Sequence, residues 1–195
     1  MRDALRSAVA AGAVLALTGC LGLGGKTPKS LITLTPAATA PAGSVASGNA
    51  ATSIAMSDFE APAKLDVTRV PVQVTDSEIA YVKDAVWNEK PARLLRRLIA
   101  ETIRAKSDRL VIDGDDPGAQ ASLRVSGTLR EFGYDARTSE VVLVLDTAKA
   151  GAGSSVVTRR FEARVPGVVA EAGPVGVALN QAANTLAAEV AAWVG

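Results

Sequence analysis

The chain of 195 residues has no histidine, one cysteine, and an aromatic content of only 4%. Without histidine, Ser-His-Asp and Cys-His catalysis and the common histidine-containing zinc sites are excluded. No serine lies in a G-x-S-x-G or S-x-x-K motif. A lone cysteine, Cys20, cannot form a disulfide within one chain, so an ordinary hydrophobic core must stabilise the fold. The sequence therefore predicts a protein that is not an enzyme and uses no cofactor.

Neither sign of charge is in excess, since there are 21 Lys and Arg residues against 20 Asp and Glu residues. A nucleic-acid partner is not expected, because phosphate binding needs a basic excess. Beyond the first twenty residues no apolar run approaches the length of about 18 that indicates a transmembrane helix. Hydrophobic residues nevertheless make up 48% of the chain, which suffices for one folded domain.

One cluster of carboxylates, formed by Asp113, Asp115 and Asp116 around Gly114, has the chemistry of a cation site. However, no further ligand follows at the spacing of a calcium-binding loop. A solvated turn explains the cluster better, because Asp and Gly are the residues that turns prefer. No metal site is predicted.

The N-terminal residues have the layout of a bacterial export signal that ends in a lipobox, Leu17-Thr18-Gly19-Cys20. Arg2 and Arg6 precede an apolar run over residues 8–17, which is too short to span a bilayer. The alternative is an ordinary secretory signal with an incidental cysteine. Because the chain's only cysteine stands at this place, acylation is favoured. We predict a signal peptide at residues 1–19 and lipid attachment at Cys20. Once residues 1–19 are removed, the number of Lys and Arg residues equals the number of Asp and Glu residues.

A tether is predicted to follow Cys20 and to extend over residues 20–53. Residues 37–53 contain Ala, Gly, Ser, Thr and Pro without charge, a composition typical of a linker that buries too little surface to order itself. The stretch 31–35 could form a short strand within this tether. The folded domain is predicted to cover residues 54–195.

Two helices and at least six strands are indicated inside the domain. Apolar residues recur at helical spacing in residues 91–106, where Pro91 suits the first turn, and again after Pro174. Period-two alternation marks strands near Val70, in residues 123–134 with a bulge near Gly127 or Glu131, and near Phe161. Pro71 favours an edge position for its strand. The predicted fold class is α+β: a mainly antiparallel sheet with two helices packed on one face.

Candidate contact residues lie just before and within the first helix. In a chain with few aromatics, Tyr81 and Trp87 are candidates for a surface that contacts a partner, although packing against the helix start is the simpler explanation. The arginines at positions 93, 96, 97 and 104 could meet an acidic partner or phospholipid headgroups. A solvated helix face explains these arginines more simply.

Several segments together resemble one family. They are the lipobox, Arg69-Val70-Pro71-Val72-Gln73-Val74, Ile79-Ala80-Tyr81-Val82, Trp87-Asn88-Glu89-Lys90-Pro91-Ala92-Arg93-Leu94-Leu95, and the alanine-rich last helix. The chain from Cys20 onward is similar to the ABC-type transport auxiliary lipoprotein family, which includes the paraquat-inducible protein C lipoprotein. The tryptophan followed by a proline-started Leu/Arg helix is the most specific of these features.

The resemblance implies a lipoprotein that works beside an MCE-domain substrate-binding protein, an ABC permease and an ATPase. Such systems move phospholipids or other lipids between the two membranes of diderm bacteria. The partners implied are those proteins, the membrane through the N-terminal lipid, and phospholipid as a further ligand. An alternative is a structural outer-membrane lipoprotein that assists an assembly machine, such as lipopolysaccharide insertion.

The expected location is the outer membrane, with the domain facing the periplasm. Leu21 follows Cys20, whereas an aspartate at that place retains lipoproteins in the inner membrane of enteric bacteria. The periplasmic face of the inner membrane is the alternative.

Overall fold

The computed structural model describes residues 30–49, 51–114, 121–151, 153 and 155–195. The predicted signal peptide, Cys20, Asp115 and Asp116 lie outside these residues. Seven strands and two α-helices occupy the described part. In chain order they are β1 (Ile54–Glu60), β2 (Arg69–Gln73), β3 (Ile79–Val86), α1 (Pro91–Lys106), β4 (Val111–Asp113), β5 (Leu123–Asp135), β6 (Glu140–Gly151), β7 (Val156–Val165) and α2 (Ala172–Val194).

The long strand β5 organises the single sheet. On one side it pairs antiparallel with β6, which pairs antiparallel with β7. On its other side two strands share it in parallel: β1 pairs with residues 123–128, and β2 pairs with residues 134–135. The strands β4 and β3 then pair with β1 and β2, respectively. The longest pairings are antiparallel, and the α+β fold class predicted from the sequence is confirmed.

A bulge and a glycine let two strands share one edge of β5. The register between β5 and β6 shifts between Leu129 and Glu131, which confirms one of the two bulge positions that the sequence indicates. At Gly133 a β carbon would lie 2.4 Å from the carbonyl oxygen of Pro71, so only glycine permits this approach. The predicted edge position of Pro71 is wrong, because its strand β2 lies between β3 and β5.

Both helices pack on the same face of the sheet. In α1 the apolar stripe predicted from the sequence is buried, and Pro91 begins the helix. The small side chains of α2 allow close packing, and its buried residues include Ala178, Ala182 and Ala183. Between the layers lies one core, whose largest fully buried side chains are Trp87, Phe132 and Phe161.

Part of the predicted tether lies against the helices. Ile32 forms a single parallel bridge with Trp87, in which its N–H donates to Val86 and its carbonyl accepts from Asn88. The short strand allowed at 31–35 is thus reduced to one bridge. Alternate residues from Ile32 to Ala40 are half-buried, which is the period of an extended chain lying on a surface.

Candidate functional site

The face of the sheet opposite the helices carries two clefts. The first has a volume of about 450 Å³ and lies over β2, β3, β5 and β6. We call it the apolar cleft after the two valines of its floor, although most of the residues that line it are polar or charged. The second, the polar cleft, has a volume of about 640 Å³ and lies over β1, β5, β6 and β7. Both are large enough for part of a small molecule or for side chains of a partner.

The lining of the apolar cleft comes from alternate residues of the strands. Residues two apart on a strand point to the same face, and this rule brings Val142 and Val144 of β6 together on the open side. Gly133 adds no side chain beside them, and Pro71 and Ile79 extend the apolar lining toward the sheet edge. Ile79 is 42% exposed, unusually high for an isoleucine, so apolar surface is available for contact.

Charged side chains surround the apolar cleft, and each cation has a carboxylate partner. Lys64 Nζ lies 2.6 Å from a carboxylate oxygen of Glu131. Arg137 contacts Asp135, with 2.8 Å from Nε to Oδ1, and also contacts Asp76. The rim therefore has no excess positive charge that would select an anion.

The ion pairs of the rim shift the pKa values of their members. The pKa of the Asp135 carboxyl is lowered, chiefly by the hydrogen bond from the Arg137 side chain. The same bond raises the pKa of the Arg137 guanidinium. The pKa of Arg164 is raised by its hydrogen bond to Glu162 and, after it, by the bond to Glu140. These groups stay charged at neutral pH, so none is suited to donate or accept a proton in catalysis.

Tyr81 stands beside the apolar cleft, as a continuation of its lining. It pairs with Pro71 across β2 and β3, and it lies two residues from Ile79 on the same strand face. The guanidinium carbon of Arg69 lies 3.8 Å from the centre of the Tyr81 ring, a cation–π contact that orients the ring. The side chain is partly exposed, so it can contact a partner.

Trp87, the other aromatic candidate, is placed differently. Its side chain is only 1% exposed and packs on Phe132, with ring centres 5.1 Å apart. The cause is a backbone irregularity at Asp84, where φ is 59°, which changes the alternation along β3 so that Ala85 and Trp87 face the core. A buried ring does not reach a partner at the surface, so the structure supports the packing explanation for Trp87.

The polar cleft is organised by Asp146. Its carboxylate accepts from Arg160, at 2.6 and 2.8 Å, and from Arg130 at 2.8 Å. The hydrogen bond from Arg160, followed by that from Arg130, lowers the pKa of Asp146 to about 2. Asp58 and Glu60 lie on the other side of this cleft.

The arginines of α1 have partners within the chain. Arg96 is 7% exposed and contacts Asp58 and Asp113, which the periodicity of the helix does not predict. Arg93 and Arg97 both pair with Glu89. Because Asp113 is engaged by Arg96, it is poorly placed to bind a cation. Within the described ranges, no group of three or more candidate ligands could hold a metal ion.

The two clefts offer surfaces on which polar and apolar groups are mixed. Sequence reasoning named Tyr81 as a candidate contact residue, which stays a prediction, and it did not predict the cleft beside it. One signal was present: residues 141–145 are apolar on both strand faces, although one face is not covered by a helix. No helix of the described part is both long and apolar enough to span a membrane.

Comparison with known proteins gives a family match and similar solved structures. The sequence model of the ABC-type transport auxiliary lipoprotein component family matches residues 33–191. A solved structure of a DUF330 family protein from Xanthomonas campestris is similar over 85% of this chain and 91% of that one, with 19% identity and a TM-score of 0.62. Another, of an uncharacterized protein, covers 73% of this chain and 92% of that one, with 14% identity and a TM-score of 0.63. At these identities the likeness supports the fold alone. Comparison with curated proteins gives no match.

Proposed function

The chain belongs to the ABC-type transport auxiliary lipoprotein component family, and from this premise we propose that it is the lipid-anchored auxiliary component of an MCE-type lipid transport system. The family match carries the proposal, because it covers almost the whole folded domain. In this system the protein acts by binding and not by catalysis. It holds the MCE-domain substrate-binding protein, and with it the permease and ATPase, at the membrane.

The lipid on Cys20 supplies the attachment, with the domain in the periplasm and the anchor in the outer membrane. Because Cys20 is the only thiol of the chain, Cys20→Ala should abolish incorporation of labelled palmitate. Unchanged labelling would contradict the anchor. Co-sedimentation of the wild type with inner-membrane markers would contradict the outer-membrane location and leave the anchor standing.

The apolar cleft and Tyr81 form the surface that we assign to the MCE-domain partner. An apolar centre ringed by charges that are already paired matches the anatomy of protein interfaces, in which a rim surrounds an apolar core. Exposed Ile79 and partly exposed Tyr81 supply the groups that a partner can cover. A phospholipid acyl chain on the same valine floor is the further ligand that this surface suits.

Purification of the lipidated protein from detergent-solubilised membranes tests this assignment. We expect the wild type to retain an MCE-domain protein and its permease. Tyr81→Ala should weaken that binding by about 30-fold or more, as for the loss of about 2 kcal/mol at an interface anchor. Val157→Ala, at an exposed position of β7 away from the apolar cleft, is the control and should bind normally.

Two results would contradict parts of the proposal. Retention of an outer-membrane barrel in place of an MCE-domain protein would favour the assembly-machine alternative. Normal binding by the Tyr81→Ala variant would contradict the surface but not the family function.

A further inference from the structure

Two asparagines of α2 hold the backbone of an extended segment, Ile32–Ala40, which we call the strap. The Asn184 amide contacts one stretch of it twice: its oxygen accepts from the Ala37 N–H at 2.7 Å, and its nitrogen donates to the Thr35 carbonyl at 3.0 Å. Asn180, one turn earlier, accepts from the Thr35 N–H at 2.8 Å. The two side chains therefore substitute for a neighbouring strand.

The other helix, α1, also binds the strap. Glu101 of α1 accepts from the Ala40 N–H at 2.9 Å, so the strap is bound by α2 and then by α1. Between these bonds the half-buried side chains are small or apolar, and Ile32 and Leu34 pack against the core. All four hydrogen bonds reach the strap through its backbone, which is the way that extended peptides are recognised.

The strap is held less firmly than the sheet. Three of the four bonds that it receives from helix side chains are exposed, and its inward side chains are half-buried where those of the sheet are fully buried. Segments with few buried contacts and exposed hydrogen bonds open before the core does. Release must also break the two backbone hydrogen bonds of Ile32 with Val86 and Asn88, but it breaks no pairing among the seven strands, since β1 begins only at Ile54.

We propose that Asn180, Asn184 and Glu101 form an intramolecular peptide-binding site that holds the strap and thereby sets how far the domain can stand from its membrane. The proposal rests on the lipid anchor at Cys20. With the strap bound, twelve residue steps lead from Cys20 to Ile32, a span of at most about 40 Å. With the strap free, the chain is next held near Gly48, which packs on Leu110, and the span rises to at most about 95 Å.

This difference decides which partners are in reach. In the bound state the domain meets only proteins close to its own membrane. In the released state it can extend toward components that project from farther away. The strap therefore selects the working distance without any change in the folded domain.

Hydrogen exchange on the full mature chain tests the clamp. The amides of Thr35 and Ala37 should be protected in the wild type, yet less than those in the middle of β5. In the Asn180→Ala/Asn184→Ala variant this protection should fall at least tenfold, while β5 is unchanged. The control is Gln181→Ala, at an exposed position of the same helix, which should change the protection of the Thr35 and Ala37 amides less than twofold.

Two exchange results would overturn the proposal. If the strap amides are unprotected in the wild type, the site does not hold the strap. If they exchange only with global unfolding, the strap is never released.

A reversible lock tests the reach. A β carbon at Gly176 would lie 3.4 and 3.8 Å from the two γ carbons of Ile32, so the pair Ile32→Cys/Gly176→Cys is close enough for a disulfide. With a fluorophore attached enzymatically after Gly195 and acceptor lipids in the vesicle, energy transfer reports the distance to the membrane. The oxidised disulfide variant should give a high energy transfer that does not vary.

The energy transfer of the variants then shows whether release of the strap changes the distance between the domain and the membrane. Chemical reduction of the disulfide should return the energy transfer to the wild-type value. The Asn180→Ala/Asn184→Ala variant should show the lowest energy transfer. Equal transfer in all forms would overturn the reach proposal. If the protein does not bind vesicles at all, the anchor has failed, and the exchange experiment still reports on the clamp.

Discussion

The two faces of the sheet differ although the same strands form both. On the covered face, Val141, Leu143 and Leu145 of β6 are sealed under α2 with 0% exposure. On the open face, Val142 and Val144 line the apolar cleft, and Asp146 lines the polar cleft. Stability therefore resides mainly in the covered face, and the open face is available for recognition. Substitutions confined to one face of the sheet test this difference between the two faces.

The largest effect on stability is expected from Trp87→Ala. Removal of a fully buried ring that packs on Phe132 should lower the free energy of unfolding by about 3–5 kcal/mol. Urea denaturation followed by circular dichroism measures this. A loss well under 1 kcal/mol would mean that Trp87 contributes nothing to the core and would reopen its role as a contact residue.

A close approach between strands provides the next test. In the Gly133→Ala variant the added β carbon would meet the Pro71 carbonyl oxygen, and we expect a loss of about 1–3 kcal/mol. Gly173→Ala is the matched control, because its β carbon would meet no atom within 4 Å beyond its chain neighbours and the backbone of its own helix, and alanine favours the helix. Equal stability of the two variants in thermal unfolding would show that β2 can move away from β5.

On the open face, the Asp146 network predicts a modest dependence on pH. The folded pKa of Asp146, about 2, is below the ordinary value of 3.8, so its contribution is complete above pH 4 and is lost as pH falls toward 2. The amount should be roughly 1 kcal/mol, because the pairs are partly solvated. Asp146→Asn should flatten the denaturation profile between pH 4 and pH 2; an unchanged profile would assign the acid response to other carboxylates.

The smallest effect on stability is expected from Tyr81→Ala. It removes a partly exposed ring and one cation–π contact with Arg69, so the loss should be under about 1 kcal/mol. If instead the unfolding midpoint falls as far as in the Trp87→Ala variant, the ring is structural, and the proposed contact surface loses its anchor.

Local patterns in the sequence predicted much of this fold. Helical periodicity located both helices, and period-two alternation located the later strands. These features depend on residues near one another in the chain, where spacing alone decides which side chains share a face. The candidate Tyr81 was accessible to the same reasoning. The lipobox at Cys20 is equally local, and it remains a prediction.

Only the tertiary structure decided the features that depend on distant residues. Trp87 faces the core because of one irregular backbone angle at Asp84, and Arg96 is buried because Asp58 and Asp113 approach it from other strands. The apolar cleft exists because β2, β5 and β6 lie side by side, which places Val142 and Val144 beside Gly133 on the face that no helix covers. The strap reaches Asn180 and Asn184 across about 145 residues of sequence. Composition and spacing carry no information about such contacts, because they are determined by which surfaces meet when the chain packs.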